Sequence, residues 1–219
     1  MDATMSPALR PVLLVLLLAV AAGALRSTAQ PAAGSVVAAP FATPTPESRA
    51  RTFAFEGVAP GDREAVLAAV AGARPEARRL IGAVAGLVTV RVGTAGDAAA
   101  GSTQTTGPGY DVVLDLGAVS RTLGRRGIER LVLHELGHVV DFALVPDATL
   151  STLDAGIPPG YGCEAGQLGA CATPEERFAE SFAKWASDDI GVNLSIGYKV
   201  PPPALPLAVW GAPLTRLPG

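Results

Sequence analysis

One segment of the chain, residues 128–144, is apolar on nearly every side of the helix that it predicts. It follows Gly127, and Pro146 marks its end because proline cannot continue a helix. A helix that is apolar all round is buried within a domain rather than laid on its surface. The fold must therefore enclose this helix with other elements.

The elements predicted before this helix are both helical and extended. An amphipathic pattern over residues 61–84 breaks at Pro75, which predicts two consecutive helices. Residues 87–92 and 110–116 are rich in β-branched residues and predict two strands, with a Gly/Ser/Thr-rich loop over 93–109 between them. We therefore expect a small α+β domain with a modest sheet of two strands before the apolar helix.

A second strong helix signal follows a variable region over residues 147–172. Thr173 is a preferred N-cap residue, Pro174 suits the first turn, and acidic residues follow, so a helix is predicted from there to about Ser187. The Pro-rich segment 191–219 is expected to be an extended tail.

The N-terminal residues predict export. Residues 1–29 contain Arg10 followed by a 14-residue apolar run, 12–25, which is short for a membrane span, so we expect a signal peptide or, alternatively, an N-terminal anchor. A Pro/Ala/Thr-rich linker over 30–50 precedes the domain predicted at 51–190. The protein is expected to be secreted or extracytoplasmic, with a membrane contact only if residues 12–25 stay attached.

Charge and cysteine content narrow the classes of partner and compartment. The net charge is -3 without a cluster of basic residues, so a nucleic-acid partner is not expected. Cys163 and Cys171 are the two cysteines of the chain, and in an oxidising compartment they are expected to form a disulfide. The alternative is a metal site with two thiolate ligands.

The apolar helix carries the motif His134-Glu135-Leu136-Gly137-His138. Histidines four apart share one helix face and can reach a single metal ion, and the intervening glutamate can take a proton from a metal-bound water. The chain has 2 histidines and both are in the motif, while Gly137 permits close approach of another backbone. The bland alternative is a structural helix with two surface histidines.

Catalytic zinc takes three protein ligands, and here the third cannot be histidine. Glu176 and Glu180 share one face of the helix predicted after Thr173, and we expect Glu176 to bind the metal, with Glu180 orienting a ligand. Two alternatives stay open: Glu180 as the ligand instead, and Glu176 only as the partner of Thr173 in a capping box. Asp141 lies too far along its helix to meet the same ion, so a supporting or capping role is expected.

The motif at 134–138, together with Glu176-Arg177-Phe178-Ala179-Glu180-Ser181-Phe182, resembles the zincin peptidases with a glutamate third ligand. It is most similar to the catalytic domain of anthrax lethal factor and its relatives. The resemblance implies a small, zincin-like α+β domain with a short mixed sheet over the motif helix. It also implies one Zn²⁺ ion, peptidase activity and an edge strand that pairs with an extended substrate. It also implies Glu176 as the ligand and Glu180 as its supporting residue.

Relatives of this type place an oxyanion-stabilising tyrosine before the ligand glutamate, and Tyr161 is the corresponding candidate. Tyr110 and Tyr198 are the other tyrosines of the chain. An ordinary packing role for Tyr161 stays open. We expect the strand at 110–116 to be the edge that receives the peptide or protein substrate.

These residues predict a zinc-dependent endopeptidase in which Glu135 acts as general base and then acid, with His134, His138 and Glu176 as ligands. A zinc hydrolase of a non-protein amide, such as one in the cell wall, would use the same residues. A secreted metal-binding or adhesion module without turnover is the third alternative, although such a module has no need of the base Glu135.

Overall fold

A computed structural model describes residues 52–96, 99–160, 172–191, 194, 196 and 199–219 of the chain. These residues belong to one compact unit, Pro46–Gly219. The predicted export signal and linker lie outside the described residues. So do Tyr161, Tyr198 and the predicted disulfide of Cys163 with Cys171.

The described residues form an α+β fold with a mixed sheet, as the sequence predicts. In chain order the elements are β1 (Ala54–Phe55), α1 (Pro60–Gly72), α2 (Pro75–Val84), β2 (Val88–Val92), β3 (Gly101–Thr106), β4 (Gly109–Leu114), α3 (Leu116–Leu144), α4 (Asp147–Ala155), α5 (Pro174–Ser187) and α6 (Leu207–Trp210).

The break between α1 and α2 falls where the sequence predicts it. Pro75 takes the first turn of α2, where its missing N–H costs no hydrogen bond, and Arg74 before it is extended. Leu80, Ile81 and Val84 of α2 are buried, and both helices pack against α3. Pro75 therefore determines where α2 begins, and the apolar face of α2 determines how the helix packs.

The sheet has the strand order β1-β2-β4-β3, with β3 antiparallel to β4 and the other pairs parallel. Two expectations are wrong here. The segment predicted to be a loop at 93–109 contains β3, whose sequence is too polar to show an apolar alternation. The strand at 109–114 is paired on both sides, so it offers no free edge, and β3 is the edge strand instead.

Helix α3 is the buried centre of the fold. Residues 130–141 are all buried, as the apolar pattern predicts, although the helix begins earlier, at Leu116. Gly124 (φ 62°, ψ −157°) interrupts it with a conformation that residues with a side chain rarely adopt. Helix α5 packs along α3, and a Cβ at Gly137 would lie 3.2 Å from Cα of Ala179. The close backbone approach expected at Gly137 is confirmed.

Two C-terminal features differ from the sequence expectation. Helix α4 lies inside the variable region at 147–172, where no helix was predicted. The predicted tail has no regular secondary structure over 199–206 and then forms α6, where the indole of Trp210 donates to the carbonyl of Leu153 at 3.0 Å. Trp210 and Leu214 are buried in the main core, so this segment is part of the packed unit.

The part of the chain described by the structure contains no helix that is both long and apolar enough to span a membrane.

Candidate metal centre

Helix α3 places His134 and His138 one above the other on the face that meets α5. Their ring centroids lie 4.9 Å apart, and both side chains are buried, each 7% exposed. The four-residue spacing produces this arrangement because residues one turn apart share a helix face. Two imidazoles therefore converge on the same point between the helices.

Glu176, on the first turn of α5, completes the group. One carboxylate oxygen, Oε2, lies 3.3 Å from Nε2 of His134, and the other, Oε1, lies 3.5 Å from Nε2 of His138. A tetrahedral ion with ligand bonds of about 2.0–2.1 Å separates its ligand atoms by about 3.3 Å. Among the described residues, His134, His138 and Glu176 form a group that could hold a metal ion. The two nitrogen–oxygen distances, each to a different oxygen of Glu176, are close to that separation.

The ionisation of these side chains follows from their contacts. Burial lowers the pKa of His134, but hydrogen bonds to Glu176 and Glu180 outweigh burial and raise the pKa to about 10. Burial raises the pKa of Glu176, but its hydrogen bonds to His134 and His138 bring it well below its usual range. The glutamate is therefore an anion, and a metal cation would replace the proton that it now shares with His134.

The contacts of Glu176 bear on its two sequence-based interpretations, as a metal ligand and as part of a capping box. The hydroxyl of Thr173, the N-cap residue of α5, makes no capping hydrogen bond. The Glu176 carboxylate lies against the two imidazoles rather than forming the reciprocal pair of a capping box.

Glu180 lies one turn further along α5 and contacts the other nitrogen of His134. Its Oε2 is 3.3 Å from Nδ1 of His134. An ionised carboxylate only accepts hydrogen bonds, so Nδ1 must donate here, which leaves Nε2 to face Glu176 and the metal position. Glu180 therefore orients the His134 ring, and its role as the supporting residue of a metal ligand stays a prediction.

Two buried cations hold Glu180, and sequence reasoning missed both. Oε1 of Glu180 lies 3.1 Å from Nζ of Lys184 and 3.4 Å from Nη1 of Arg130. Lys184 also donates to the carbonyl of Val200 at 2.7 Å, and Arg130 to that of Asp189 at 2.6 Å. The available signal was spacing, because Arg130 precedes His134, and Lys184 follows Glu180, by one helical turn.

The carboxylate of Glu135 is held by the edge strand β3. Oγ1 of Thr103 donates to Oε2 of Glu135 at 2.8 Å and lies 3.1 Å from the Glu135 carbonyl oxygen. Glu135 is 4% exposed. Sequence reasoning missed Thr103 because its segment was predicted to be a loop.

A cavity of about 490 Å³ opens onto both histidines, Glu135 and Glu176. Residues 99–103 form its wall on the side of the sheet, and Phe142 and Ile196 add apolar surface. The Phe142 ring, 49% exposed as a residue, stacks on His138 at a centroid distance of 5.9 Å and on Tyr110 at 6.4 Å. A ligand in this cavity would meet the metal group, Glu135 and β3 at once.

Asp141 does not join the metal group. It is 5% exposed, and its Oδ2 has no hydrogen-bond partner among the described residues. Burial, with the nearby charges of Glu175 and Asp147, raises the pKa of Asp141 to about 7. Nδ1 of His138 is also buried without a partner in the described part of the chain.

Comparison of the chain with models of known protein families, with curated proteins and with solved structures gives no significant match.

Proposed function

We propose that this protein is an exported zinc-dependent endopeptidase. The observation that carries the proposal is the placement of Glu176 between the two Nε2 atoms, at 3.3 and 3.5 Å, in a cavity shared with Glu135. Two imidazoles and one carboxylate make a ligand set typical of catalytic zinc, which leaves a further coordination position open. Two histidines and a glutamate that merely stabilised the fold would not need a cavity or an adjacent base.

When bound, zinc would lower the pKa of a water molecule and polarise the substrate carbonyl. Glu135 would take the proton from the attacking water and deliver it to the nitrogen of the departing amine. Its carboxylate lies on the cavity wall and is not part of the ligand group, so it is available to move a proton. His134, His138 and Glu176 would hold the ion, and Glu180 would keep the His134 ring in place.

The position of β3 supports a peptide as the substrate. This strand is the sheet edge next to the cavity, and residues 99–103 contribute to the cavity wall. An edge strand offers unpaired backbone groups to an extended peptide, which gives affinity with little dependence on sequence. We therefore transfer the substrate-binding role from 110–116 to β3. Tyr161 remains our candidate for stabilising the oxyanion.

A digest of a peptide library by the purified, zinc-loaded protein tests this proposal. We expect the wild type to generate new peptide termini and the Glu135→Gln variant to do so at least about 100-fold more slowly. Glu135→Gln should retain zinc, because Glu135 is outside the ligand group. A zinc-loaded wild type that cleaves no peptide would contradict the peptidase proposal, and equal rates would remove Glu135 from the reaction.

A further inference from the structure

Strand β3 contacts Glu135 at two points, and the first is Thr103. Its hydroxyl carries one hydrogen, and the distance of 2.8 Å to Oε2 is shorter than the 3.1 Å to the backbone carbonyl. A hydrogen bond to a carboxylate is also stronger than one to a neutral carbonyl. A β-branched side chain has few rotamers, so this donor is rigid. Thr103 therefore fixes one oxygen of Glu135.

The second point is Gly101, two residues earlier and on the same face of the strand. A Cβ at this position would lie 2.4 Å from Oε1 of Glu135 and 2.9 Å from its Cγ and Cδ atoms. The Glu135 side chain thus lies directly on the bare backbone of β3. Any side chain at 101 would occupy the space of the carboxylate.

The backbone that carries both contacts is itself held in register. Gly101 pairs with Leu114 and Thr103 with Val112, and both partners are buried residues of the interior strand β4. Strand pairing therefore fixes the distance between the hydroxyl of Thr103 and the open space at Gly101.

We propose that Thr103 and Gly101 of β3 position the general base Glu135, with Thr103 holding Oε2 while Gly101 leaves the space that Oε1 needs for proton transfer. The inference rests on the proposed function, and both are positioning residues because they act through Glu135. The same strand carries the free edge for the substrate. Peptide docking and base orientation would then depend on one element.

Substitutions at Thr103 and at Gly101, each with a control variant, test the inference by steady-state kinetics. Thr103→Val keeps the shape but loses the hydroxyl, and we expect kcat to fall by about 10- to 100-fold with KM and zinc content unchanged. Thr103→Ser should restore kcat to within about 3-fold, because it restores the donor. Thr152→Val, the same change at an exposed position of α4 outside the cavity, is the matched control and should match the wild type.

Gly101→Ala should lose at least about 100-fold in kcat, since the new Cβ displaces the carboxylate. Its thermal midpoint should change little, because the displaced group is the end of a flexible side chain. Gly93→Ala is the control, since a Cβ there meets nothing within 4 Å.

Unchanged kcat in Thr103→Val or Gly101→Ala would overturn the inference. If the zinc-loaded wild type hydrolyses no peptide, that result contradicts the proposed function instead. A double-mutant cycle of Thr103→Val and Glu135→Gln in urea unfolding reports the contact without any turnover. We expect coupled effects in this cycle, and strictly additive effects would show that Thr103 does not hold Glu135.

Discussion

Two buried carboxyl groups flank the histidine pair, and they differ in their partners rather than in their burial. Glu180 is 4% exposed and Asp141 is 5% exposed. Burial raises the pKa of Glu180, yet its hydrogen bond to His134 and the charges of Lys184 and Arg130 bring it below its ordinary value. Asp141 has no such partners among the described residues, and its pKa rises to about 7. The partners of a buried acid, rather than the extent of its burial, therefore decide whether it is charged.

This difference matters for the metal group. A charged Glu180 accepts the hydrogen of His134 Nδ1 and keeps Nε2 towards the metal position. Its charge is in turn sustained by two cations, each of which also donates to a carbonyl beyond α5. The orientation of the His134 ring therefore depends on contacts that reach the C-terminal segment.

The largest expected effect comes from removing the paired acid. Glu180→Ala leaves Arg130 and Lys184 buried without their anion, so we expect the free energy of unfolding to fall by about 3–5 kcal/mol. Zinc affinity should also fall by about 10- to 100-fold, because the His134 ring loses its support. Urea unfolding and zinc competition measure the two effects.

Glu64→Ala, an exposed position of α1, is the control for this substitution and should change neither quantity. Zinc affinity of Glu180→Ala equal to that of the wild type would show that Glu180 does not orient His134.

Removing the charge of the unpaired acid should have a smaller effect of opposite sign. The pKa of Asp141 is about 7 in the folded chain and about 3.9 when unfolded, so between these values the folded state holds more protons. Its stability therefore falls as the pH rises through this window. We expect Asp141→Asn to be more stable than the wild type at pH 8, by on the order of 2 kcal/mol, and equal to it below about pH 4.

Unfolding of Asp141→Asn at several pH values checks this sign. Destabilisation by the substitution at pH 8 would mean that the ionised Asp141 has a partner and that the contrast with Glu180 is wrong.

The smallest effect is expected for Lys184→Met. Glu180 keeps Arg130 and His134 as partners, so the variant loses one ion pair and the hydrogen bond to Val200. We expect a loss of about 1–2 kcal/mol in the free energy of unfolding, with zinc affinity nearly unchanged. Lys199→Met, at an exposed position, is the control. A loss as large as that of Glu180→Ala would show that Arg130 alone cannot hold the carboxylate.

The sequence predicted the helical part of this site well, because helices carry their own signals. Proline fixes the starts of α2 and α5, and the four-residue spacings bring His134, His138 and Glu176 within reach of one another. The apolar pattern of residues 128–144 was sufficient to predict a buried helix at the centre of the fold. Local pattern and tertiary position agree for these elements.

The parts that sequence reasoning missed depend on tertiary contacts. Strand β3 is polar and half exposed, so only its pairing with β4 reveals it. Thr103 and Gly101 gain their roles from the Glu135 side chain, which lies more than thirty residues along the chain. Arg130 and Lys184 resemble ordinary surface cations in the sequence, whereas the fold buries them around Glu180.

The zinc content of the purified protein tests the central claim most directly. After equilibration with zinc and removal of the excess, we expect about one ion per wild-type chain and a similar amount in Glu135→Gln. Glu176→Ala should bind far less, because it removes the carboxylate that joins the two imidazoles. A wild type without bound zinc, or full zinc binding by Glu176→Ala, would contradict the assignment of His134, His138 and Glu176 as the metal centre.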